Sequence, residues 1–252
     1  MPKDLNADQL IEQAQRSTGL DTFDSQSFRE GLELYCAGFN RIDRSDEAVE
    51  GNSAVIVKNL ADRLKVTEAI RQRPEVLNAP VKAPVFVLGG ARTGTTLLNN
   101  LLAADPNRRS PLSWEIEEPV PPPTSTTLFN DPRALAQIEA QKQLLAAYPE
   151  AGKYYRSSPI YPNECIFFLN HDFKTLFWEG RAKLPEYRDW LFSTDMTSAY
   201  EYHKKFLQLH QADAPGVWNL KMPSHALWMD TILKIYPDAR FVWTHRDPLT
   251  AT

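Results

Sequence analysis

Residues 85–96 read Val85-Phe86-Val87-Leu88-Gly89-Gly90-Ala91-Arg92-Thr93-Gly94-Thr95-Thr96. The short apolar run ending in paired glycines has the signature of a buried parallel strand feeding a loop. Leu97, Leu98, Leu101 and Leu102 then recur at helical spacing, which predicts a helix from Thr95 to Ala104 with those leucines on one face, stopped by Asp105-Pro106. Strand, glycine loop and helix together form an anion cradle: glycines bring backbone N–H groups to the ligand, and the helix start adds its positive end. Gly89 and Gly94 stand at the glycine spacing of an ATP- or GTP-binding loop, but Thr95 holds the place where such a loop has lysine. The basic residue is instead Arg92, inside the loop. Triphosphate chemistry is poorly supported without that lysine, and Arg92 suits the end of a shorter anion.

A second motif lies near the carboxyl end, Phe241-Val242-Trp243-Thr244-His245-Arg246-Asp247-Pro248. It reads as a buried strand ending in a basic residue. Ligands of open α/β sheets bind outside the carboxyl ends of strands, so Arg246 is expected on the same sheet edge as the first loop. Taken alone, Arg246-Asp247-Pro248 also fits a surface turn. Val217 to Leu220 (strand), Ser224 to Tyr236 (helix) and Arg240 to Thr244 (strand) make a second β–α–β unit.

The first eighty residues read as helices. Asn6 and Gln9 form a capping pair, and Phe28, Leu32, Tyr35 and Phe39 make one helical stripe. A longer helix is expected from about Ala54 through Arg73, and Asp131-Pro132 opens another that reaches about Tyr148. The expected fold is α/β, a P-loop-like parallel sheet flanked by helices, with a helical amino-terminal extension. The division is 1–82 for the extension and 83–252 for the α/β domain. Tyr154 to Tyr202 is rich in aromatics, which either line an acceptor pocket or fill the core.

The chain has 252 residues, 42% hydrophobic and 24% charged, with a formal net charge of −4. That balance speaks against a general nucleic-acid binder and allows a local basic pocket. Cys36 and Cys165 are far apart and have no neighbours at metal-ligand spacing. They form neither a disulfide framework nor a zinc site, so no metal is expected and a reducing cytoplasm fits best. No signal peptide and no membrane-spanning run is visible. Assembly into a homo-oligomer is left open.

The loop Arg92-Thr93-Gly94-Thr95-Thr96 between strand and helix resembles the 5′-phosphosulfate loop of the sulfotransferases that use 3′-phosphoadenosine-5′-phosphosulfate (PAPS). Phe28-Arg29-Glu30-Gly31-Leu32-Glu33, Trp114-Glu115, Pro121-Pro122-Pro123, Glu164-Cys165 and Leu220-Lys221-Met222-Pro223-Ser224-His225 extend the likeness to a bacterial type with a helical extension. The resemblance implies transfer of a sulfuryl group from PAPS to a hydroxyl or amine of a small-molecule, lipid or carbohydrate acceptor, with PAP as product. It implies that Gly89, Gly90, Ala91, Arg92, Thr93, Gly94, Thr95 and Thr96 hold the 5′-phosphosulfate and that Arg246 holds the 3′-phosphate. It also implies a further 3′-phosphate serine eight residues beyond Arg246, past Thr252, so this chain is expected to lack part of the donor site. Competing readings are a P-loop nucleotide kinase or NTPase, and a non-catalytic nucleotide-binding protein.

Sulfuryl transfer needs a base, cations for the developing charge, and in-line positioning. Arg92 is the first cation. Lys221, at a strand end, resembles the lysine that contacts the transferring group in related enzymes. Glu115 is the expected base by resemblance to a glutamate found after the phosphate-loop helix, with Trp114 and Ile116 beside it to desolvate it. It also fits a solvated acidic run, Glu115-Ile116-Glu117-Glu118. His225 is the rival base and Glu164 a third candidate, for substrate binding.

Overall fold

The computed structural model describes residues 4–150 and 158–251. In chain order its helices are α1 (Ala7–Thr18), α2 (Arg29–Phe39), α3 (Asp46–Gln72), α4 (Thr95–Ala103), α5 (Ser113–Glu117) and α6 (Pro132–Ala147). They continue as α7 (Ile166–Leu169), α8 (Leu176–Ala182), α9 (Pro185–Ser193), α10 (Thr197–Gln211), α11 (Met229–Ile235) and α12 (Pro248–Ala251). The strands are β1 (Val85–Gly89), β2 (Arg108–Arg109), β3 (Val217–Lys221) and β4 (Arg240–Thr244).

The chain forms two compact units, one of 1–78 with 166–206 and the other of 79–165 with 207–252. Residues 166–206 thus pack with the amino-terminal helices. The reason is the aromatic segment. The apolar stripe of α2 predicted from sequence is buried at Phe28, Leu32, Tyr35 and Phe39. Its covering comes from residues far along the chain: Phe28 lies 6.5 Å from Phe173 and Tyr35 lies 5.1 Å from Trp178, ring centre to ring centre. Phe168, Phe173, Trp178 and Tyr187 are core, so most of the aromatic run fills this helical unit. Tyr154 and Tyr155 lie outside the described residues.

Local signals set the helix starts. The Asn6 side chain accepts a hydrogen bond from the Gln9 N–H at 3.0 Å, and the Ser45 hydroxyl accepts one from Ala48, so α3 begins eight residues before its apolar run. Asp131 caps α6 in the same way, with Pro132 at its first position. In the helical unit Arg63 is fully buried and balanced by charge. It pairs with Asp172 at 2.7 Å, donates to the His171 carbonyl at 3.0 Å and lies 4.6 Å over the Tyr202 ring.

The second unit holds a four-stranded, all-parallel sheet in the order β2-β3-β1-β4. β1 is buried along its whole length, as its unbroken apolar run predicts. The register places Val87 beside Lys221 and Gly89 beside Thr244, so three strand ends converge where the glycine loop begins. The second β–α–β unit forms as expected, although its helix opens with a tighter turn over Pro223–Trp228 before α11. Helix α4 differs from its prediction: Leu97 and Leu101 are exposed and Asn99 is buried. The leucines sit on more than one face, and the sheet takes the face carrying Asn99.

Candidate active site

The loop between β1 and α4 turns because three residues adopt positive φ: Gly89 at 155°, Arg92 at 62° and Gly94 at 98°. Gly89 is required twice over. Its backbone favours glycine, and a Cβ there would run into the Thr244 and Thr93 hydroxyls. The Thr244 hydroxyl donates to that of Thr93 at 2.8 Å, with its oxygen also 3.2 Å from the Leu88 carbonyl. Thr93 further donates to the Gly90 carbonyl at 2.7 Å. The loop is thereby pinned to the end of β4, and Thr244, a residue given no role in the sequence reading, does the pinning.

Gly94 stands at the helix N-cap and offers no side chain to the first turn of α4, so that turn's N–H groups face the loop mouth. Arg92 is exposed there, and the Arg246 guanidinium reaches across to donate to the Arg92 carbonyl at 3.3 Å. The two motifs, more than 150 residues apart, meet at one place. Two guanidiniums, backbone N–H groups and a helix start suit an anion with two separate charged groups.

Lys221 ends β3 beside this loop. Its Nζ donates to Glu164 Oε1 at 2.5 Å and to Thr96 Oγ1 at 3.4 Å. The lysine side chain is 7% exposed, while Glu164 is 29% exposed. Cys165 fixes the arrangement from its backbone, donating to the Lys221 carbonyl at 2.9 Å. The Cys165 thiol itself is fully buried, and burial pushes it far above its ordinary range, so it is no nucleophile.

The other two base candidates sit differently. Glu115 does not lie in an apolar pocket. It is buried against Arg109, with Arg109 NH1 3.1 Å from Oε2 and a second bond from NH2 to Oε1. Oε2 also accepts the Leu112 N–H at 3.0 Å, the glutamate half of a capping box that starts α5. Glu115 is buried, as the flanking Trp114 and Ile116 led one to expect, and is not part of a solvated acidic run, but the Arg109 guanidinium on β2 compensates its charge. His225 is likewise in the core, edge-on to Phe86 with ring centres 5.0 Å apart. The Glu164–Lys221 contact escaped the sequence reading because 57 residues separate the pair. The one available signal was that both stood in the segments that carried the resemblance.

A parallel sheet whose first strand feeds a glycine loop and a helix start, with Arg92 and Arg246 meeting at the loop, defines a P-loop-like α/β protein. Residues 84–252 match the model described as the sulfotransferase family, and the chain belongs to that family. It is similar over 100% of its length to the crystal structure of sulfotransferase STF9 from Mycobacterium avium, at a TM-score of 0.91 and 40% identity, covering 65% of that chain. It matches sulfotransferase STF1 from Mycobacterium tuberculosis H37Rv over 97% of its length, at 0.82 and 31% identity, covering 68% of that chain. A curated relative, the omega-hydroxy-beta-dihydromenaquinone-9 sulfotransferase Stf3 of Mycobacterium bovis, is 25% identical over 177 residues. The present chain spans 66% of itself and 42% of that relative in the match.

Proposed function

We propose that this chain is the donor-binding part of a sulfotransferase that transfers a sulfuryl group from PAPS to a hydroxyl. The observation carrying the reading is the meeting of Arg246 with the Arg92 carbonyl at a loop that has Thr95 in place of a lysine. PAPS would supply the activated sulfuryl group. Gly89 to Thr96 would receive its 5′-phosphosulfate on backbone N–H groups, and Arg246 its 3′-phosphate. The residues present suit it: the loop mouth is cationic, with Arg92 and Arg246 both exposed.

Among this chain's side chains, Arg92 and Lys221 stabilise negative charge as it develops at the loop mouth. Thr96 holds Lys221 from the first turn of α4. Glu164 is the base in this reading, in place of Glu115. It is partly exposed, and its carboxylate already sits on the lysine that faces the transferring group. A proton from the acceptor hydroxyl goes to Glu164, and Lys221 keeps that carboxylate oriented. Glu115 and His225 serve the fold.

The relative Stf3 is named for an omega-hydroxylated acceptor, which supports a hydroxyl rather than an amine here. No helix among the described residues is long and apolar enough to cross a membrane. Cys36 and Cys165 are both free and buried, which supports a reducing, cytoplasmic setting. Calorimetric titration with PAP, ATP and GTP tests the reading. PAP should bind without magnesium and more tightly than ATP. Magnesium-dependent ATP binding of equal or greater strength would make the chain a kinase-type protein instead.

A further inference from the structure

The α/β unit contains a cavity of about 430 Å³ lined in part by α4 and by the segment that leads to Glu164. One wall is α4. Thr96 touches Lys221, and Asn100, one turn further along, already lines the cavity, followed by Ala103. Four helical residues advance about 6 Å. The other wall is the segment that ends in Glu164. Tyr161 and Pro162 line the cavity, and Pro162 precedes Glu164 by two residues, about 7 Å of extended chain. That segment is held in place by the Asn163 N–H, which donates to the Pro111 carbonyl at 2.8 Å, and by the bridge between Leu112 and Pro162. Two stretches of the lining thus lead along the chain to the Lys221–Glu164 pair, one from α4 and one from the segment before Glu164.

Its lining is mainly apolar, with Leu112 deep in the wall and Phe129 and Tyr161 at the rim, 59% and 49% exposed. Two polar atoms of wall residues are unmatched among the described residues, the Arg109 Nε–H and the Ser110 hydroxyl. Ser110 is 4% exposed and lines the cavity, yet its hydroxyl has no hydrogen-bond partner among the described residues. A buried hydroxyl without a partner costs on the order of 1–3 kcal/mol, so a ligand atom that meets it gains orientation as well as affinity. The volume lies in the range of sites for small organic ligands, which are apolar with few placed polar groups.

We propose that this cavity is the acceptor pocket and that it takes the apolar body of a hydroxylated molecule, whose reacting hydroxyl lies at Glu164. This rests on the sulfuryl-transfer reading above. A sugar is a poor occupant, since each of its hydroxyls would need a partner and the wall offers mainly carbon. Ser110 meets a second polar atom on the ligand and sets which end of it faces Glu164.

The test is calorimetric titration of 2-naphthol and of glucose, with and without PAP, into the wild-type chain, Ala103→Trp and Phe129→Ala. Ala103→Trp fills the cavity from α4. Phe129→Ala removes an exposed rim residue and leaves the fold intact. The wild type should bind 2-naphthol and not glucose. Both variants should weaken 2-naphthol about tenfold or more while PAP affinity stays unchanged. A wild type that does not bind 2-naphthol, or two variants that bind it as the wild type does, overturns the pocket. Loss of PAP binding alone, with 2-naphthol binding and its sensitivity to both variants intact, would instead remove the donor reading and leave the pocket standing.

Discussion

Arg109 and Glu115 close a buried ion pair across the turn from β2 to α5, each side chain 1% exposed. The guanidinium also lies 4.6 Å over the Trp218 ring and donates to the His210 carbonyl at 3.2 Å. Removing one member of such a pair leaves the other charge buried without compensation, which costs about 3–5 kcal/mol. Glu115→Gln should therefore lower the urea midpoint sharply. A variant of normal stability whose turnover alone falls would return Glu115 to the role of base.

Glu164→Gln separates the other way. The carboxylate is partly exposed, so the fold should tolerate the change, and PAP affinity should stay near that of wild type. If Glu164 takes the acceptor proton, turnover in the full-length enzyme should fall by about 10²–10⁴. His225→Asn should cost stability by disturbing the packing on Phe86. A folded His225→Asn protein with turnover lost, beside an active Glu164→Gln, would reverse the assignment.

Arg246→Ala should weaken PAP much more than adenosine 5′-phosphate, which lacks the 3′-phosphate. A charge-assisted hydrogen bond contributes about 1.5–3 kcal/mol, so the difference should be about tenfold or larger. Titration of both ligands into both proteins measures it. Equal losses would show that Arg246 only braces the loop through the Arg92 carbonyl.

Acid should destabilise the helical unit. Burial lowers the His203 imidazole from its ordinary value to about 3, with the ring packed 4.9 Å from Phe168. The folded-state value is depressed, so the unfolded chain takes up a proton first. The stabilisation is complete above the unfolded value near 6.5 and declines as pH falls toward 3, at about 1.4 kcal/mol per pH unit. Between pH 7 and pH 5 His203 should contribute a loss of about 2 kcal/mol. Urea midpoints of wild type and His203→Gln should converge over that interval. Parallel lines would mean that His203 is charged in the folded state or exposed to water.

The sequence made the sheet legible because β1, β3 and β4 each read as apolar runs, but only β1 and β3 are buried; β4, expected to be buried, is half open to solvent because it lies at the outer edge of the sheet. The loop was legible because Gly89 and Gly94 answer a backbone demand that no other residue meets as readily. β2 was invisible: a strand of Arg108-Arg109 carries no apolar signal and exists through pairing with β3. The same blindness hid the fate of Glu115, because the residue that neutralises it lies on that strand. Helical periodicity also misjudged α4, whose leucines satisfy the spacing rule while its sheet-facing position belongs to Asn99. The grouping of residues 166–206 with the amino-terminal helices was not legible for a similar reason, since α2 gives no sign of which distant aromatics will cover its stripe.

Strand β4 occupies one outer position of the sheet, and Val242 and Trp243 stand open to solvent there. Such a rim presents a row of amide and carbonyl groups flanked by apolar side chains, on which a further strand can pair. The geometry that places Thr244 and Arg246 beside the loop thus also leaves a flank on which the sheet can be extended.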